Sequence, residues 1–370
     1  MKVMTLFGTR PEIIRLSRVI PRLDSACQHV LVHTGQNHDT NLSDIFFDEL
    51  RIRKPDVHLG VRGNGFAEQA AQILTRSSEA LEREKPDRLL ILGDTNSGLS
   101  AIVAARMGIP VIHMEAGNRC YDDRVPEEIN RRIIDHSSSV LLPYTHRSME
   151  NLVREGIERR RIFVTGNPIF EVLETYKNEI ATSNVMERLE IAEKDFFLVT
   201  LHRAENVDDP ARLRSFLTGL SRVADTFAKT MVVSLHPRTA DKLSAFNLGP
   251  ESKRVHVMKP LGFFDFVRLE RSATCVLSDS GTVQEECCIF RVPNVTLRDV
   301  TERPETIECG SNILTGADPD RILRAVSVAL QEAPGWVPPA EYTMPNVADT
   351  VARIVLGYSE LNGRRATRSP

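Results

Sequence analysis

Short apolar runs recur along the chain, and each run ends in a glycine or a polar turn that leads into an amphipathic segment. They lie at residues 3–7, 29–34, 89–92, 111–114, 140–143, 196–200, 231–234, 255–259, 275–278 and 292–297. Continuous apolar runs of this length are typical of strands buried on both faces of a parallel sheet. The alternation of such strands with helices predicts an α/β protein with two doubly wound, Rossmann-like domains.

A break at Gly166-Asn167-Pro168 separates the two halves of this pattern. We predict a first domain over residues 1–168, a second over 175–345 and a terminal helix over 346–362. The full length of 370 residues fits two domains of about 100–200 residues each.

The composition of the chain limits the kinds of binding partner and the cellular compartment that we expect. The net charge of −3 argues against nucleic-acid binding. The sequence contains no apolar run of the roughly 18–20 residues that a membrane helix needs, and its first residues form a predicted strand. The six cysteines include no C-x-x-C pair, so we expect no metal site, no disulfide framework and a cytoplasmic location.

The sequence Ser278-Asp279-Ser280-Gly281 stands between an apolar run and a helix-forming segment. A strand, a tight turn and a helix start in this order present backbone N–H groups to a phosphate or diphosphate. Glu286 then lies on the ligand side, where it could accept hydrogen bonds from ribose hydroxyls. The alternative is that this carboxylate only stabilises the helix dipole.

In the first half, charged residues follow three predicted strands. Arg10 stands in the first turn, and Arg10 and Arg15 could hold a phosphate. Asp94 and Glu115 follow two later strands, where open α/β sheets bind ligands, although Asp94 could be a helix cap. Glu127 and Arg131 are four residues apart, either as an exposed ion pair or as a third site carboxylate that Arg131 tunes.

The second half repeats this placement. His202 and His236 follow two predicted strands. His202 could be a phosphate contact or an acid or base, although a lone histidine is more often structural. Arg303 is a candidate diphosphate clamp. Phe266 lies in a predicted aromatic loop, where it could stack on a base or belong to the core.

Six motifs, taken together, resemble the non-hydrolysing UDP-N-acetylglucosamine 2-epimerases. They occur in order as Gly8-Thr9-Arg10-Pro11-Glu12, Gly93-Asp94-Thr95, Glu115-Ala116-Gly117, Pro126-Glu127-Glu128-Ile129-Asn130-Arg131, Asp279-Ser280-Gly281 with Glu285-Glu286, and Thr301-Glu302-Arg303-Pro304-Glu305. The resemblance implies the two-domain architecture of GT-B glycosyltransferases, with the active site in the interdomain cleft and a last helix that returns to the first domain.

The resemblance also implies a reaction without a redox cofactor. UDP leaves with the C2 proton in an anti elimination, and the resulting 2-acetamidoglycal takes UDP back after protonation on the other face. The implied catalytic residues are Asp94, Glu115, Glu127 and His202. The implied contacts to the UDP-sugar substrate are Arg10, Arg15, Arg131, His236, Phe266, Ser280, Gly281, Glu286 and Arg303.

Some stretches are more similar to the branch that converts UDP-2-acetamido-2,6-dideoxy-L-talose to UDP-N-acetyl-L-fucosamine, so the sugar stays open. Gln36-Asn37-His38 departs from the family pattern beside its allosteric substrate site, which leaves activation by a second UDP-N-acetylglucosamine open. A GT-B glycosyltransferase and a non-catalytic nucleotide-sugar sensor are the competing functions. The resemblance implies a homodimer.

Overall fold

The computed structural model describes residues 1–36, 40–63, 65–331 and 333–358. The chain forms two compact units. The first comprises Met1–Glu174 and the segment from Ala340 onward, and the second comprises Thr175–Pro339. The boundary on the C-terminal side therefore falls at Ala340, whereas the sequence placed it after residue 345.

The first unit is built on a sheet of six strands. These are β1 (Lys2–Phe7), β2 (Gln28–His33), β3 (Val57–His58), β4 (Arg88–Leu92), β5 (Val111–Met114) and β6 (Val140–Leu142). Their order is β3-β2-β1-β4-β5-β6, and the pairings are parallel. Leu6, Ile91 and Ile112 are completely or almost completely buried, as the apolar runs predicted.

Helices surround this sheet. They are α1 (Arg10–Leu16), α2 (Val19–Ala26), α3 (Thr40–Glu49), α4 (Phe66–Glu84), α5 (Ser100–Arg106), α6 (Pro126–Ser137), α7 (His146–Arg154) and α8 (Ile169–Thr175). Pro11 and Pro126 stand in the first turns of α1 and α6, where a proline loses no helical hydrogen bond.

The second unit repeats the plan. Its strands are β7 (Phe196–Leu201), β8 (Thr230–Leu235), β9 (Val255–Met258), β10 (Cys275–Ser278), β11 (Asn294–Thr296) and β12 (Asn312–Leu314), in the parallel order β12-β11-β10-β7-β8-β9. Its helices are α9 (Lys177–Ala181), α10 (Val185–Arg188), α11 (Ala204–Val207), α12 (Pro210–Phe227), α13 (Pro237–Ala245), α14 (Phe263–Ser272), α15 (Gly281–Phe290), α16 (Pro304–Glu308) and α17 (Pro319–Ala329).

The last described helix, α18 (Val347–Gly357), belongs to the first unit. Buried Arg88 of β4 donates hydrogen bonds to the carbonyl oxygens of Val355 and Tyr358. Asp349 of α18 forms an ion pair with Arg22 of α2 at 2.9 Å. Residues 359–362 of the predicted helix lie outside the described residues.

One predicted element is wrong. The segment before Phe266 was predicted as an aromatic loop, but α14 begins at Phe263 after Gly262, which takes the N-cap position. The apolar residues of this helix pack on the sheet, so Phe266 lies on a helix rather than in a loop. Among the described helices, none combines the length and the apolar character needed to cross a membrane.

Candidate active site

Two carboxylates lie on neighbouring turns at the carboxyl edge of the first sheet. Asp94 follows β4 and Glu115 follows β5, and these strands pair through Leu92 and Met114. Gly93 and Glu115 both adopt the left-handed conformation, with φ of 76° and 63°. A Cβ built on Gly93 would stand 3.8 Å from Oε2 of Glu115, so the two turns are in close proximity.

Glu115 is paired with a buried cation. Arg15 of α1 donates a hydrogen bond to Oε2 of Glu115, and the two side chains are only 3% and 10% exposed. The hydroxyl of Tyr144 lies 3.4 Å from the same oxygen, and Nδ2 of Asn118 donates to Oε1 at 3.3 Å. The sequence placed Arg15 with Arg10 around a phosphate, whereas the structure places it on a carboxylate.

Asp94 has a different environment. Its side chain is 25% exposed, accepts a hydrogen bond from Nε of Arg131 at 2.8 Å and forms an ion pair with Nη2 of the same guanidinium at 2.7 Å. Nη1 of Arg131 donates to Glu128 at 2.8 Å. The sequence assigned this guanidinium to Glu127, which lies half-buried in the first turn of α6. The single positive charge of Arg131 is therefore shared between the carboxylates of Asp94 and Glu128.

Buried Glu128 fixes the loop that follows Glu115. Its carboxylate accepts the backbone N–H groups of Cys120 and Tyr121, each at 3.0 Å. Burial alone would raise the pKa of Glu128, but these N–H groups and Arg131 outweigh burial and lower it. Glu128 is therefore a charged anchor of the site loop.

The turn after β1 is closed by Glu12. Its carboxylate accepts the N–H groups of Gly8 and Thr9 at 3.0 and 2.7 Å, and the hydroxyl of Thr95 at 3.2 Å. The sequence predicted that Arg10 and Arg15 could hold a phosphate near this turn. Burial raises the pKa of Glu12 to about 7 against the opposing hydrogen bonds. Arg10 remains partly exposed beside this turn, 5.9 Å from the ring centroid of Phe46.

A buried network supports both site turns. His113 Nδ1 lies 2.8 Å from Asp135, and its Nε2 lies 2.8 Å from the carbonyl oxygen of Gly93. Asp135 also accepts the N–H of Gly117 at 3.2 Å and pairs with Arg119 at 2.8 Å. The network thereby positions the backbone on either side of Asp94 and Glu115.

In the second unit, Asp279 organises the turns after β7 and β10. Fully buried, it accepts the N–H groups of His202 and Arg203, and its Oδ1 lies 3.0 Å from Nδ1 of His202. Burial alone would raise the pKa of Asp279, but His202 and these hydrogen bonds hold it far below its usual range. The ring of His202 stays 36% exposed, and its centroid lies 6.1 Å from that of His236, the N-cap residue of α13.

Helix α15 begins without a side-chain cap. Ser280 is its N-cap residue and makes no capping hydrogen bond from its side chain. A Cβ on Gly281 would stand 2.6 Å from Oε1 of Glu302, whose other oxygen accepts from Arg298 at 2.7 Å. Only glycine fits beside this fixed ion pair, and the positive end of the helix dipole is left available for an anion.

Arg303 and Glu286 lie beside this helix start, both almost completely buried. Arg303 donates a hydrogen bond to Glu285. Glu286 contacts buried Glu270, whose pKa is raised by burial and by the Glu286 charge. Phe266 is half-buried against the apolar cluster of the sheet.

The comparisons with known proteins agree with this arrangement. The sequence profile described as UDP-N-acetylglucosamine 2-epimerase matches residues 22–356. The chain belongs to the UDP-N-acetylglucosamine 2-epimerase family. A Methanocaldococcus jannaschii protein named UDP-N-acetylglucosamine 2-epimerase is 41% identical over 347 residues, which cover 92% of this chain and 95% of that protein. A Pseudomonas aeruginosa relative, named UDP-2,3-diacetamido-2,3-dideoxy-D-glucuronate 2-epimerase, is 38% identical over 89% of this chain and 92% of its own.

Solved structures of epimerases confirm the predicted two-domain GT-B fold. The M. jannaschii UDP-GlcNAc 2-epimerase in complex with UDP-GlcNAc and UDP superposes with a TM-score of 0.91, at 39% identity over 96% of this chain and 99% of that chain. The Rickettsia bellii enzyme gives 0.90 at 39% identity over 99% of both chains. The glycosyltransferase WaaG, at 12% identity and a TM-score of 0.60, shares the fold alone.

Sequence reasoning about this epimerase missed several residues that hold the site. Glu12, Glu128 and Asp279 lie inside motifs that carry the family resemblance, yet the sequence predicted no role in the site for any of them. A capping pattern, Thr9 followed three residues later by Glu12, was the available signal for the first. Asn37 and His38 lie outside the described residues. Among the residues that the structure describes, no group of three or more His, Cys, Asp or Glu could hold a metal ion.

Proposed function

We propose that this protein inverts C2 of UDP-N-acetylglucosamine, giving UDP-N-acetylmannosamine, by anti elimination of UDP and re-addition to a 2-acetamidoglycal. The names of the relatives in the family support this substrate. The observation that carries the chemistry is the pair of adjacent turns bearing Asp94 and Glu115, each carboxylate with its own arginine.

The pair meets the requirement of the reaction. Inversion needs one group to remove the C2 proton and another to deliver a proton to the opposite face. Glu115 is compensated by buried Arg15, whereas Asp94 is partly exposed and shares Arg131 with Glu128. Two carboxylates in unlike surroundings can hold different protonation states at one pH. We propose Glu127, in the first turn of α6, as the third carboxylate.

The second unit supplies the groups that a departing UDP requires. We propose that the start of α15, at Ser280 and Gly281, binds the diphosphate, because an uncapped helix N-terminus stabilises an anion. We propose that Arg303, His202 and His236 assist with positive charge or hydrogen bonds, and that Arg10 is a further UDP contact. Glu286 binds the ribose, and Phe266 contacts the uracil. The reaction needs no redox cofactor and no metal.

One experiment tests this function. The protein is incubated with UDP-N-acetylglucosamine in D₂O without any acceptor, and NMR follows C2. Deuterium at C2 together with the C2 epimer is expected. Release of UDP only when an acceptor is added would favour a glycosyltransferase, and UDP binding without exchange would favour a sensor.

The sugar is tested in parallel. UDP-2-acetamido-2,6-dideoxy-L-talose is included because several stretches of the sequence are similar to the branch that acts on it. UDP-2,3-diacetamido-2,3-dideoxy-D-glucuronate is included because a relative at 38% identity is named as its 2-epimerase. The substrate with the highest kcat/KM identifies the branch. A rate that rises with added UDP-N-acetylglucosamine at fixed talose substrate would reveal allosteric activation.

We also propose a cytoplasmic homodimer. The family resemblance supports the dimer, and light scattering coupled to gel filtration measures its mass. Cell fractionation tests the location.

A further inference from the structure

Two cysteines outside the proposed catalytic residues are in contact. The sulfur atoms of Cys288 and Cys309 lie 3.6 Å apart. Cys288 belongs to α15 and is completely buried, whereas Cys309 ends α16 and is partly exposed. Helix α15 begins at Gly281 and α16 follows Arg303, so the pair joins two elements that carry proposed UDP contacts.

We propose that Cys288 and Cys309 are a modification site, at which a hydroperoxide forms a reversible disulfide that controls nucleotide binding. The Cys309 thiolate attacks one oxygen of the peroxide, the O–O bond breaks, and a sulfenic acid and hydroxide form. The hydroxide takes up the proton that the Cys309 thiol lost on ionisation and becomes water. The Cys288 sulfur then displaces the hydroxyl group from Cys309, and its proton leaves with that oxygen as water. Two thiols are oxidised, and one hydrogen peroxide is reduced to two waters.

The surroundings divide the two roles. The Ser311 hydroxyl lies 3.4 Å from the Cys309 sulfur. Hydrogen bonds with Cys288 and Ser311 lower the pKa of Cys309 to about 6 in spite of its partial burial. The contact with Cys309 and burial raise the pKa of Cys288. The partly exposed Cys309 is therefore the nucleophile, and buried Cys288 resolves the sulfenic acid.

Closing the disulfide is expected to pull on α16. An S–S bond measures about 2.05 Å, so the two sulfurs must approach by about 1.5 Å from their 3.6 Å separation. Cys288 is fixed inside its helix, but Cys309 precedes Gly310, which has a φ of 87° and open space around it. The other end of α16 is Arg303, which is paired with Glu285. We infer that oxidation displaces Arg303 and weakens UDP binding, an effect that rests on the proposed function.

The chain carries its own reporter for this change. Its single tryptophan, Trp336, donates a hydrogen bond from Nε1 to the carbonyl oxygen of Cys288 at 3.1 Å. Oxidation of Cys288 should therefore shift the tryptophan emission.

The test treats the full chain with hydrogen peroxide, blocks the remaining thiols with an alkylating agent and maps the peptides by mass spectrometry. A peptide linking Cys288 to Cys309 is expected, and dithiothreitol should remove it. Calorimetry with UDP should show affinity falling by roughly tenfold, the effect of losing one charge-assisted hydrogen bond. Reduction should restore the affinity.

Matched variants complete the design. Cys309→Ser should abolish the cross-linked peptide and the emission shift, whereas Cys27→Ser, which removes another partly exposed thiol, should keep both. Alkylation of both Cys288 and Cys309 after peroxide would overturn the proposal, as would a cross-link that leaves UDP affinity unchanged. If the reduced chain binds no UDP, the proposed nucleotide function is wrong, and so is the redox control of that function. The peptide map still decides whether the disulfide forms.

Discussion

Glutamine in place of Glu115 separates the chemical role of this carboxylate from its structural one. The amide keeps the shape of the side chain and removes its charge, so buried Arg15 loses the carboxylate with which it pairs. Removal of one member of a buried ion pair costs about 3–5 kcal/mol. A domain of 150–250 residues loses roughly 2–4 °C in Tm per kcal/mol, so Glu115→Gln should lower Tm by roughly 6–20 °C.

Activity should fall independently of this stability loss. If Glu115 transfers a proton at C2, its amide should reduce the rate of deuterium exchange by about 10²–10⁴-fold. Below the Tm of the variant, NMR in D₂O measures this rate on folded protein. Asp94→Asn should lose a similar factor but less stability, because Arg131 keeps Glu128 at 2.8 Å.

A double variant provides the control. Arg15→Met added to Glu115→Gln removes both charges, and it should recover most of the lost stability while activity stays low. The exposed change Glu79→Gln should alter neither quantity. Exchange at the wild-type rate in Glu115→Gln would refute the catalytic role. A double variant as unstable as the single one would show that the loss of this ion pair is not the cause.

Three further changes test the anchors of the site. The raised pKa of Glu12 means that the folded wild type holds a proton that the unfolded chain releases, so its stability should fall as pH rises from 4.5 to about 7. Glu12→Gln should remove that fall, and at pH 8 its free energy of unfolding should exceed that of the wild type by at most about 3 kcal/mol. Urea titrations across this pH range measure the difference. Parallel curves of unfolding free energy against pH for the two proteins would contradict the reasoning. Asp279→Asn should lower the free energy of unfolding by about 1.5–3 kcal/mol and slow turnover, because His202 loses its charged hydrogen-bond partner. An unchanged kcat would indicate that His202 has only a structural role. Gly281→Ala should lower the free energy of unfolding by about 1–3 kcal/mol, because the added methyl group clashes with Glu302. Calorimetry should show weaker UDP binding. Wild-type affinity in this variant would show that the diphosphate does not bind at this helix start.

The alternation of strand and helix was readable from the sequence because buried parallel strands are apolar throughout. The apolar runs at 89–92 and 111–114 became β4 and β5, and the residues after them, Asp94 and Glu115, came to one edge of the sheet. The stretch from 52 to 86 stayed unassigned, although it forms β3 and the long helix α4.

Partners within the site were not readable. Arg15 and Glu115 are 100 positions apart, and only the tertiary fold decides that this arginine meets a carboxylate rather than a phosphate. Spacing alone suggested Glu127 as a partner of Arg131, and it gave no sign that the edge of the sheet also brings Asp94 to this guanidinium. Phe266 was misplaced because Pro260 and Gly262 predict a loop, whereas Gly262 is the N-cap of a helix.

The position of α18 has a consequence for synthesis. Arg88 emerges from the ribosome more than 260 residues before Val355, its hydrogen-bond acceptor. The first unit therefore stays incomplete, with that guanidinium and the surface of α2 uncovered, until α18 has been synthesised. A chain truncated before residue 347 would carry this defect permanently, and it should be a preferred substrate for cellular proteases.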